Sequence, residues 1–417
     1  MQSSSFLIAG HAEFGRLETL RDYLIKKKIR YILVVYFNLA FSKLKKGRIE
    51  IYINGRIKNK INLFHYTFRN NSKYKYILIL FTYFTYLLSI VKIYNIVKKK
   101  KINIYVGIGT YISFLLYVIF LSDKNKNKLF IYYCIDFFNR FFYKKDFLKI
   151  KYFINYIELK IQLYLLKKSD YVWEISKKIS NVRSKAINFI NAYKINSHLK
   201  RKKFILPLGY SKKFINDINK NIIKIKKKNI VNIVFIGVVN PNQSLDELII
   251  AVKHNKDFFN NKIHIYIVGE GEYLNEVKSK IILNKLQNFF TICGFLNNKK
   301  LIKIMSIADY GYAVFSNFKG NHSLNAEPGK IKLYSIYKIP CIVTKNIYLS
   351  KLLKKYECGL IIKDNKHKTI ANIIKKIIRN NYIYKKKFRR NIKEFIKKEC
   401  IADFHFENFF KLTKIIK

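Results

Sequence analysis

Residues 233–249 read Ile-Val-Phe-Ile-Gly-Val-Val-Asn-Pro-Asn-Gln-Ser-Leu-Asp-Glu-Leu-Ile, and this stretch decides the fold. The apolar run 233–236 predicts a short strand that ends at Gly237. Ser244 and Glu247 then form the Ser-x-x-Glu pattern of a capping box, in which the two side chains bond the free amides at a helix start. The stretch therefore predicts a strand, a glycine turn and a helix N-terminus.

The same unit recurs up to residue 344. Further strands are predicted at 263–268, 289–292, 310–315 and 341–344, and helical patterns separate them. Strands that alternate with helices are typical of an α/β protein with a doubly wound parallel sheet. In such sheets ligands bind at the carboxyl ends of the strands, where helix N-termini favour anions. The segment thus predicts a site for a nucleotide or another phosphate ligand.

The first half of the chain has the same plan of strands and helices. We predict an N-terminal α/β domain at 1–210, which ends in a strand and turn at 204–210. The polar, lysine-rich segment 211–230 is predicted to be a linker, and 231–383 to be a second α/β domain. The helical pattern of 384–417 predicts a tail helix that packs back on the N-terminal domain.

Composition bounds the class of protein. The 417 residues carry a formal net charge of +57, and half of them are hydrophobic, which predicts two folded domains rather than a disordered chain. Such a charge is typical of proteins that meet a polyanion or an anionic membrane surface. Because the lysines are spread along the whole chain, compositional drift in an AT-rich genome is the alternative explanation. No nucleic-acid-binding motif occurs, so we do not expect nucleic acid as a partner.

Cysteines and apolar runs bear on the compartment. The five cysteines are isolated, which predicts neither a metal site nor a disulfide framework and fits a reducing compartment. The apolar runs 77–91 and 102–122 are short or interrupted, whereas a membrane span needs about 20 apolar residues. We predict core segments, with a helix lying in the membrane plane as the alternative. Residues 3–13 lack a signal-peptide pattern, so we expect a cytoplasmic protein, with a peripheral position at the inner face of the membrane compatible with its charge.

These patterns together resemble a known family. In order and spacing they are similar to the motifs of GT-B-fold glycosyltransferases, specifically glycosyltransferase family four (the group 1 glycosyl transferases). In the C-terminal half the similar segments are 235–243, 268–271, 291–295, 308–309, 328–342 and 357–361. In the N-terminal half they are 170–176 and 206–210. The resemblance covers nearly the whole chain and is strongest in the C-terminal half.

The resemblance implies an architecture and an activity. It implies two Rossmann-like, doubly wound parallel-sheet domains that face a cleft, with the acceptor on the N-terminal domain and the nucleotide sugar on the C-terminal domain. The implied activity is transfer of a sugar, with retention, to a glycan or lipid-linked acceptor in surface polysaccharide or glycolipid biosynthesis. The family needs neither a metal nor another cofactor. A basic, aromatic-rich chain also suits an anionic membrane surface as a partner.

The resemblance also assigns site residues. Transfer must stabilise the negative charge that grows on the leaving diphosphate, and positioned cations do this best. Lys330 lies in the first turn of a predicted helix and can reach a phosphate, although a solvated lysine gives the same pattern. Glu327 is predicted either to bind donor hydroxyls or only to complement the helix dipole. The donor-binding residues are Gly237, Asn240, Gln243, Ser244, Gly269, Gly271, Gly294, Phe295, Asn325, Pro328 and Gly329.

Three further residues are assigned in the N-terminal half. Asp136 ends a predicted strand and is assigned as a catalytic residue that orients an acceptor hydroxyl, with ordinary turn chemistry as the alternative. Gly10 and His11, on the first N-terminal loop, are assigned to acceptor binding.

The chain also departs from the family pattern. Val238 and Gln243 stand where the family loop has Arg and Lys, and Asn325 and Leu333 stand where it has two Glu. The departures favour an alternative, a degenerate GT-B protein that is catalytically weak and acts as a binding partner.

Overall fold

The computed structural model describes residues 4–11, 15–37, 47–63, 75–135, 150–181, 183, 202–222, 230–317, 324 and 327–416. The chain divides into two compact units. The N-terminal unit comprises residues 1–211 and 402–417, and the C-terminal unit comprises residues 212–401. Each unit is built around its own sheet, which lies between helices.

The described residues of the N-terminal unit include eight strands and four long helices before the boundary. The strands are β1 (Ser5–His11), β2 (Tyr31–Phe37), β3 (Arg48–Ile53), β4 (Arg56–Asn62), β5 (Ile104–Ile108), β6 (Leu129–Cys134), β7 (Tyr171–Glu174) and β8 (Lys203–Ile205). The helices are α1 (Arg16–Lys26), α2 (Lys75–Lys98), α3 (Thr110–Ser122) and α4 (Ile150–Lys168). The apolar run 77–91 lies in α2, and the run 102–122 forms β5 and α3. The prediction of core segments holds for one side of each helix only, because Leu87 and Val91 of α2 and Leu121 of α3 are more than half exposed.

The N-terminal sheet has the order β4-β3-β2-β1-β5-β6-β7-β8. Neighbouring strands pair in parallel along the part β2-β1-β5-β6-β7-β8 of this order. Strand β3 is antiparallel to both β2 and β4. The predicted parallel sheet is therefore extended at one edge by an antiparallel β-hairpin. Asn54 and Gly55 both have positive φ, 51° and 78°, which is the backbone of the tight turns that join such hairpins.

The described residues of the C-terminal unit form six strands and eight α-helices. The strands are β9 (Val231–Ile236), β10 (Ile263–Val268), β11 (Phe290–Gly294), β12 (Tyr310–Ala313), β13 (Cys341–Thr344) and β14 (Leu360–Ile362). The helices are α5 (Lys212–Asn221), α6 (Leu245–Lys253), α7 (Lys256–Phe259), α8 (Leu274–Leu283), α9 (Asn298–Ile307), α10 (Gly329–Ile336), α11 (Tyr348–Lys355) and α12 (His367–Phe395). All described strand pairs of this sheet are parallel, as predicted.

The C-terminal unit extends beyond both predicted ends of the second domain, 231 and 383. Half of the predicted linker is helix α5, which belongs to the C-terminal unit and buries Ile215 and Ile218. The predicted tail begins too early, since α12 runs through residue 384 to Phe395 and the C-terminal unit continues to residue 401. Only α13 (Ala402–Thr413) returns to the N-terminal unit.

Aromatic contacts hold α13 in the N-terminal unit. The ring of Phe409 meets that of Trp173 edge to face at 4.9 Å between centroids. The ring of Phe410 stacks on that of Tyr23 at 5.7 Å. Among the helices that the structure describes, none has the length and apolar character that a membrane crossing requires.

Candidate functional site

The order in which the chain adds strands to the C-terminal sheet reverses at one point. Its order, β11-β10-β9-β12-β13-β14, places β9 beside β12, and the chain continues outward on either side of this pair. The connections after β9 and β12 therefore diverge at the carboxyl edge, which is where doubly wound sheets bind ligands. Ser316 N donates a hydrogen bond to Asn242 O at 2.9 Å and joins the two connections.

Glycines let the connections after β9 and β10 pack closely. The amide of Gly237 donates to Val268 O, and that of Gly269 donates to Gly294 O at 2.8 Å. A Cβ at Gly269 would lie 1.9 Å from Gly237 O, and one at Gly271 would lie 2.1 Å from Val239 O. No side chain fits there, so backbone packing alone accounts for these two glycines, and their assignment to donor binding stays a prediction.

The loop before α6 is fixed by its own side chains. Asn240 Oδ1 accepts from Asn242 N at 3.1 Å and starts the 3-10 turn 241–243. Ser244 has a left-handed backbone with φ of 49° and makes no side-chain cap bond, so the capping-box prediction is wrong although the helix start is right. Its hydroxyl instead accepts from Asn365 Nδ2 at 3.2 Å. The Glu247 carboxylate accepts from His367 N at 2.8 Å.

Lys330 provides a cation at this edge of the sheet, beside β9 and β12. It is the second residue of α10, and its Nζ donates to Oε1 of the buried Gln243 at 2.7 Å. The ammonium lies 4.0 Å from the ring centroid of Phe235 and 5.2 Å from that of Phe315. A Cβ at Gly237 would lie 3.2 Å from Nζ, so the glycine leaves room for the ammonium.

The surroundings of Lys330 change its titration. Loss of water around the half-buried ammonium lowers its pKa to about 7, because a charged group is disfavoured where solvent is excluded. An anion that approaches Nζ would favour the charged form, so the site can take up a proton as it binds a phosphate group.

Glu327 is held by a lysine that the sequence pattern did not single out. Its Oε1 lies 2.6 Å from Lys332 Nζ, and each side chain is 1% exposed. Burial of both partners favours a structural role for Glu327 rather than contact with donor hydroxyls. The one sequence signal for Lys332 is that it interrupts an otherwise apolar, buried stretch of α10.

The other assigned residues are spread over both units. Pro328 and Gly329 form the start of α10 beside Lys330, and Gly294 ends β11 with φ of 63°. Phe295 follows it with an exposed ring, and Val238 is exposed where the family has a cation. Gly10 and His11 end β1 in the N-terminal unit, so the structure does not group them with the C-terminal residues in one unit. Asp136 and Asn325 lie outside the described residues.

The N-terminal unit has a small pocket that sequence reasoning missed. It lies where β6 and β8 end, and it is lined by Arg16 and Thr19 of α1, Tyr133 of β6, residues 206–209, and Ala402, His405 and Phe406 of α13. The contribution of α13 explains why local patterns did not reveal it, since residues about 200 positions apart form its walls.

A comparison with known proteins finds relatives of the C-terminal unit. A family model described as "Glycosyl transferases group 1" matches residues 216–399. An uncharacterized glycosyltransferase of Methanocaldococcus jannaschii is 29% identical over 239 residues, which make up 56% of this chain and 55% of that protein. The match thus spans about half the length of this relative. The predicted family resemblance is confirmed at the level of the group 1 enzymes.

Solved structures show the fold of the whole chain. The structure of Anabaena HepE in complex with UDP and glucose has a TM-score of 0.64 at 13% identity, covering 99% of this chain and 100% of that one. WaaG, a glycosyltransferase involved in lipopolysaccharide biosynthesis, has a TM-score of 0.61 at 9% identity, covering 98% and 99%. At such identities the likeness is one of fold, and it confirms the predicted GT-B fold.

Proposed function

We propose that this GT-B-fold chain, whose residues 216–399 match the model of the group 1 glycosyl transferases, moves a sugar from a nucleotide-sugar donor to a glycan or lipid-linked acceptor. The transfer retains the anomeric configuration and uses no metal or other cofactor. Its place is in surface polysaccharide or glycolipid biosynthesis, at the inner face of a membrane. WaaG, which has the same fold, acts in lipopolysaccharide biosynthesis and supports this acceptor class.

The observation that carries the proposal is the position of Lys330. Its ammonium stands at the carboxyl edge of the sheet, where β9 and β12 diverge, in the first turn of α10. A leaving diphosphate needs positive charge and backbone amides as its own charge grows. Lys330 supplies the charge, and the amides near Gly329 and Ser244 supply further donors.

Gln243 adapts the site to the loss of the family cations. Its amide oxygen orients Lys330 Nζ across 2.7 Å, where the family has a second positive group. The donor diphosphate is therefore held chiefly by one side-chain cation, and its affinity depends on the charge state of that cation. Gly237, Asn240 and Ser244 shape the loop around it rather than add charge.

Calorimetry with uridine and guanosine diphosphates tests the proposal. Uridine diphosphate is the first choice because HepE was solved with UDP and glucose. We expect saturable binding of at least one nucleotide, together with slow release of free sugar from the matching nucleotide sugar. If none of the common nucleotide diphosphates binds and no nucleotide sugar releases free sugar, the proposal that this chain is an enzyme is contradicted.

The second candidate is a degenerate GT-B protein that acts as a binding partner. Val238 presents an exposed apolar side chain where the family has a cation. The Glu327 carboxylate is also engaged by Lys332. This candidate predicts a folded protein that ignores nucleotide diphosphates, so the same titration separates the two.

A further inference from the structure

Helix α2 has an apolar stripe on its outer side. Phe84, Leu87, Leu88 and Val91 recur at helical spacing, and each is 44–61% exposed. The opposite side of the helix faces the core with Thr85, Tyr86, Ser89, Ile93 and Val97, all buried. The inner side therefore packs against the core, whereas the side chains of the outer stripe are partly exposed.

The neighbouring helices extend the stripe into a surface. Helix α3 adds Val118 and Leu121, and α4 adds Tyr156, Ile157 and Tyr164, all more than a third exposed. The ring of Tyr164 lies 5.7 Å from that of Tyr117, so α3 and α4 are packed side by side. We call these nine exposed side chains on three helices the α2–α4 face. They are half of the exposed large hydrophobic side chains of the described residues.

Exposed lysines accompany the α2–α4 face, mostly at the C-terminal ends of its helices. They stand at 92 and 98–101 on and after α2, at 124 and 126 after α3, and at 160, 167 and 168 on α4. In the segments 84–101, 110–128 and 156–168, the acidic residues are Asp123 and Glu158. Exposed apolar side chains on helices that also carry many cations match helices that lie on anionic lipid, whose phosphates meet the ammonium groups while apolar side chains enter the headgroup boundary.

We propose that the α2–α4 face docks on the surface of a bilayer that contains anionic lipids. The inference deepens the proposed function, since it gives an enzyme with a lipid-borne acceptor a defined contact with the membrane. Charge alone does not select a face, because lysines are spread over the whole chain. The apolar stripe does select one. A second copy of this chain is a less suitable occupant of the face, since contact between two lysine-rich faces would bring like charges together.

Removal of the stripe's apolar character tests the proposal. Leu87→Ser with Val91→Ser leaves every lysine in place and changes two exposed positions. We expect the variant to bind vesicles with about 30% anionic phospholipid roughly tenfold more weakly than the wild type, at a salt concentration of about 0.1 M. The matched control is Ile282→Ser with Leu283→Ser, an exposed aliphatic pair on α8 of the C-terminal unit, and its vesicle affinity should equal that of the wild type.

The outcomes separate the proposal from its rivals and from the proposed enzyme activity. Equal binding by both double variants would overturn the proposal in favour of diffuse charge attraction. A wild-type dimer in sedimentation velocity that Leu87→Ser with Val91→Ser disperses would overturn it in favour of a self-interface. Leu88→Trp gives a second readout: a blue shift and quenching by brominated lipid are expected on docking, and no change would contradict it. The vesicle assay contains no sugar donor, so it can succeed or fail independently of glycosyl transfer.

Discussion

Lys330 Nζ donates a hydrogen bond to Gln243 Oε1 at 2.7 Å and thereby joins the first turn of α10 to the loop after β9. The two residues are 87 positions apart in sequence. Because an amide oxygen is neutral, it orients the ammonium without cancelling its charge, as a carboxylate would. The pair therefore keeps a cation available at the carboxyl edge of the sheet, although the loss of water around the ammonium lowers its pKa to about 7.

Replacement of Lys330 measures the contribution of that cation. We expect Lys330→Ala to weaken nucleotide-diphosphate binding by about 1.5–3 kcal/mol, the usual contribution of a charge-assisted hydrogen bond. Isothermal titration calorimetry gives the value. The control is Lys354→Ala, an exposed lysine at the end of α11, and its affinity should match that of the wild type. Equal affinity of wild type and Lys330→Ala would exclude Lys330 from the diphosphate site.

The lowered pKa of Lys330 predicts a pH dependence. In the free protein the amine loses its proton around pH 7, and a bound diphosphate favours the charged form and raises the pKa. Binding above pH 7 should then take up a fraction of a proton, and affinity should fall as pH rises. Calorimetry in buffers of different ionisation enthalpy measures the uptake. Lys330→Ala should show none above pH 7.5, where the nucleotide phosphates (second pKa about 6) are already ionised.

The element pattern of the C-terminal unit could be predicted from local sequence. Its strands are short apolar runs, of which β9, β10 and β11 end at or beside glycines, and parallel strands buried on both faces have such apolar runs. The hairpin of the N-terminal unit was missed because β4 reads Arg-Ile-Lys-Asn-Lys-Ile-Asn and is mostly exposed. Lysines suit an edge strand, but they remove the apolar signal. The Asn54-Gly55 dipeptide was the available clue.

The site was less predictable because its contacts are not local. The side chains of Ser244 and Glu247 suggested a capping box, but they bond Asn365 and His367, about 120 positions away. Gln243 was recognised as a departure from the family, whereas its bond to Lys330 required the fold. The pairing of Glu327 with Lys332 also depends on burial that no sequence pattern revealed.

The contact between Trp173 and α13 predicts how the N-terminal unit responds to a cavity. Phe409 is 1% exposed, and its ring centroid lies 4.9 Å from that of Trp173. Phe409→Ala should therefore destabilise this unit by about 3–5 kcal/mol. Trp173 is the single tryptophan of the chain, so fluorescence during urea unfolding reports on this unit. Phe404→Ala, at an exposed position of the same helix, should change stability by less than about 0.5 kcal/mol. Equal effects of the two variants would argue against a core role for α13.

The ion pair of Glu327 and Lys332 allows the structural role to be separated from donor binding. Lys332→Met leaves a buried carboxylate without its cation and should destabilise the C-terminal unit by about 3–5 kcal/mol. The exposed pair of Lys387 and Glu357 is the control, and Lys387→Met should cost less than about 1 kcal/mol. The double variant Glu327→Gln with Lys332→Met removes both charges and should recover much of the stability, as followed by urea denaturation. If Glu327 is structural, this variant binds nucleotide diphosphate with the wild-type affinity. A folded double variant that has lost nucleotide binding would instead return Glu327 to the donor site.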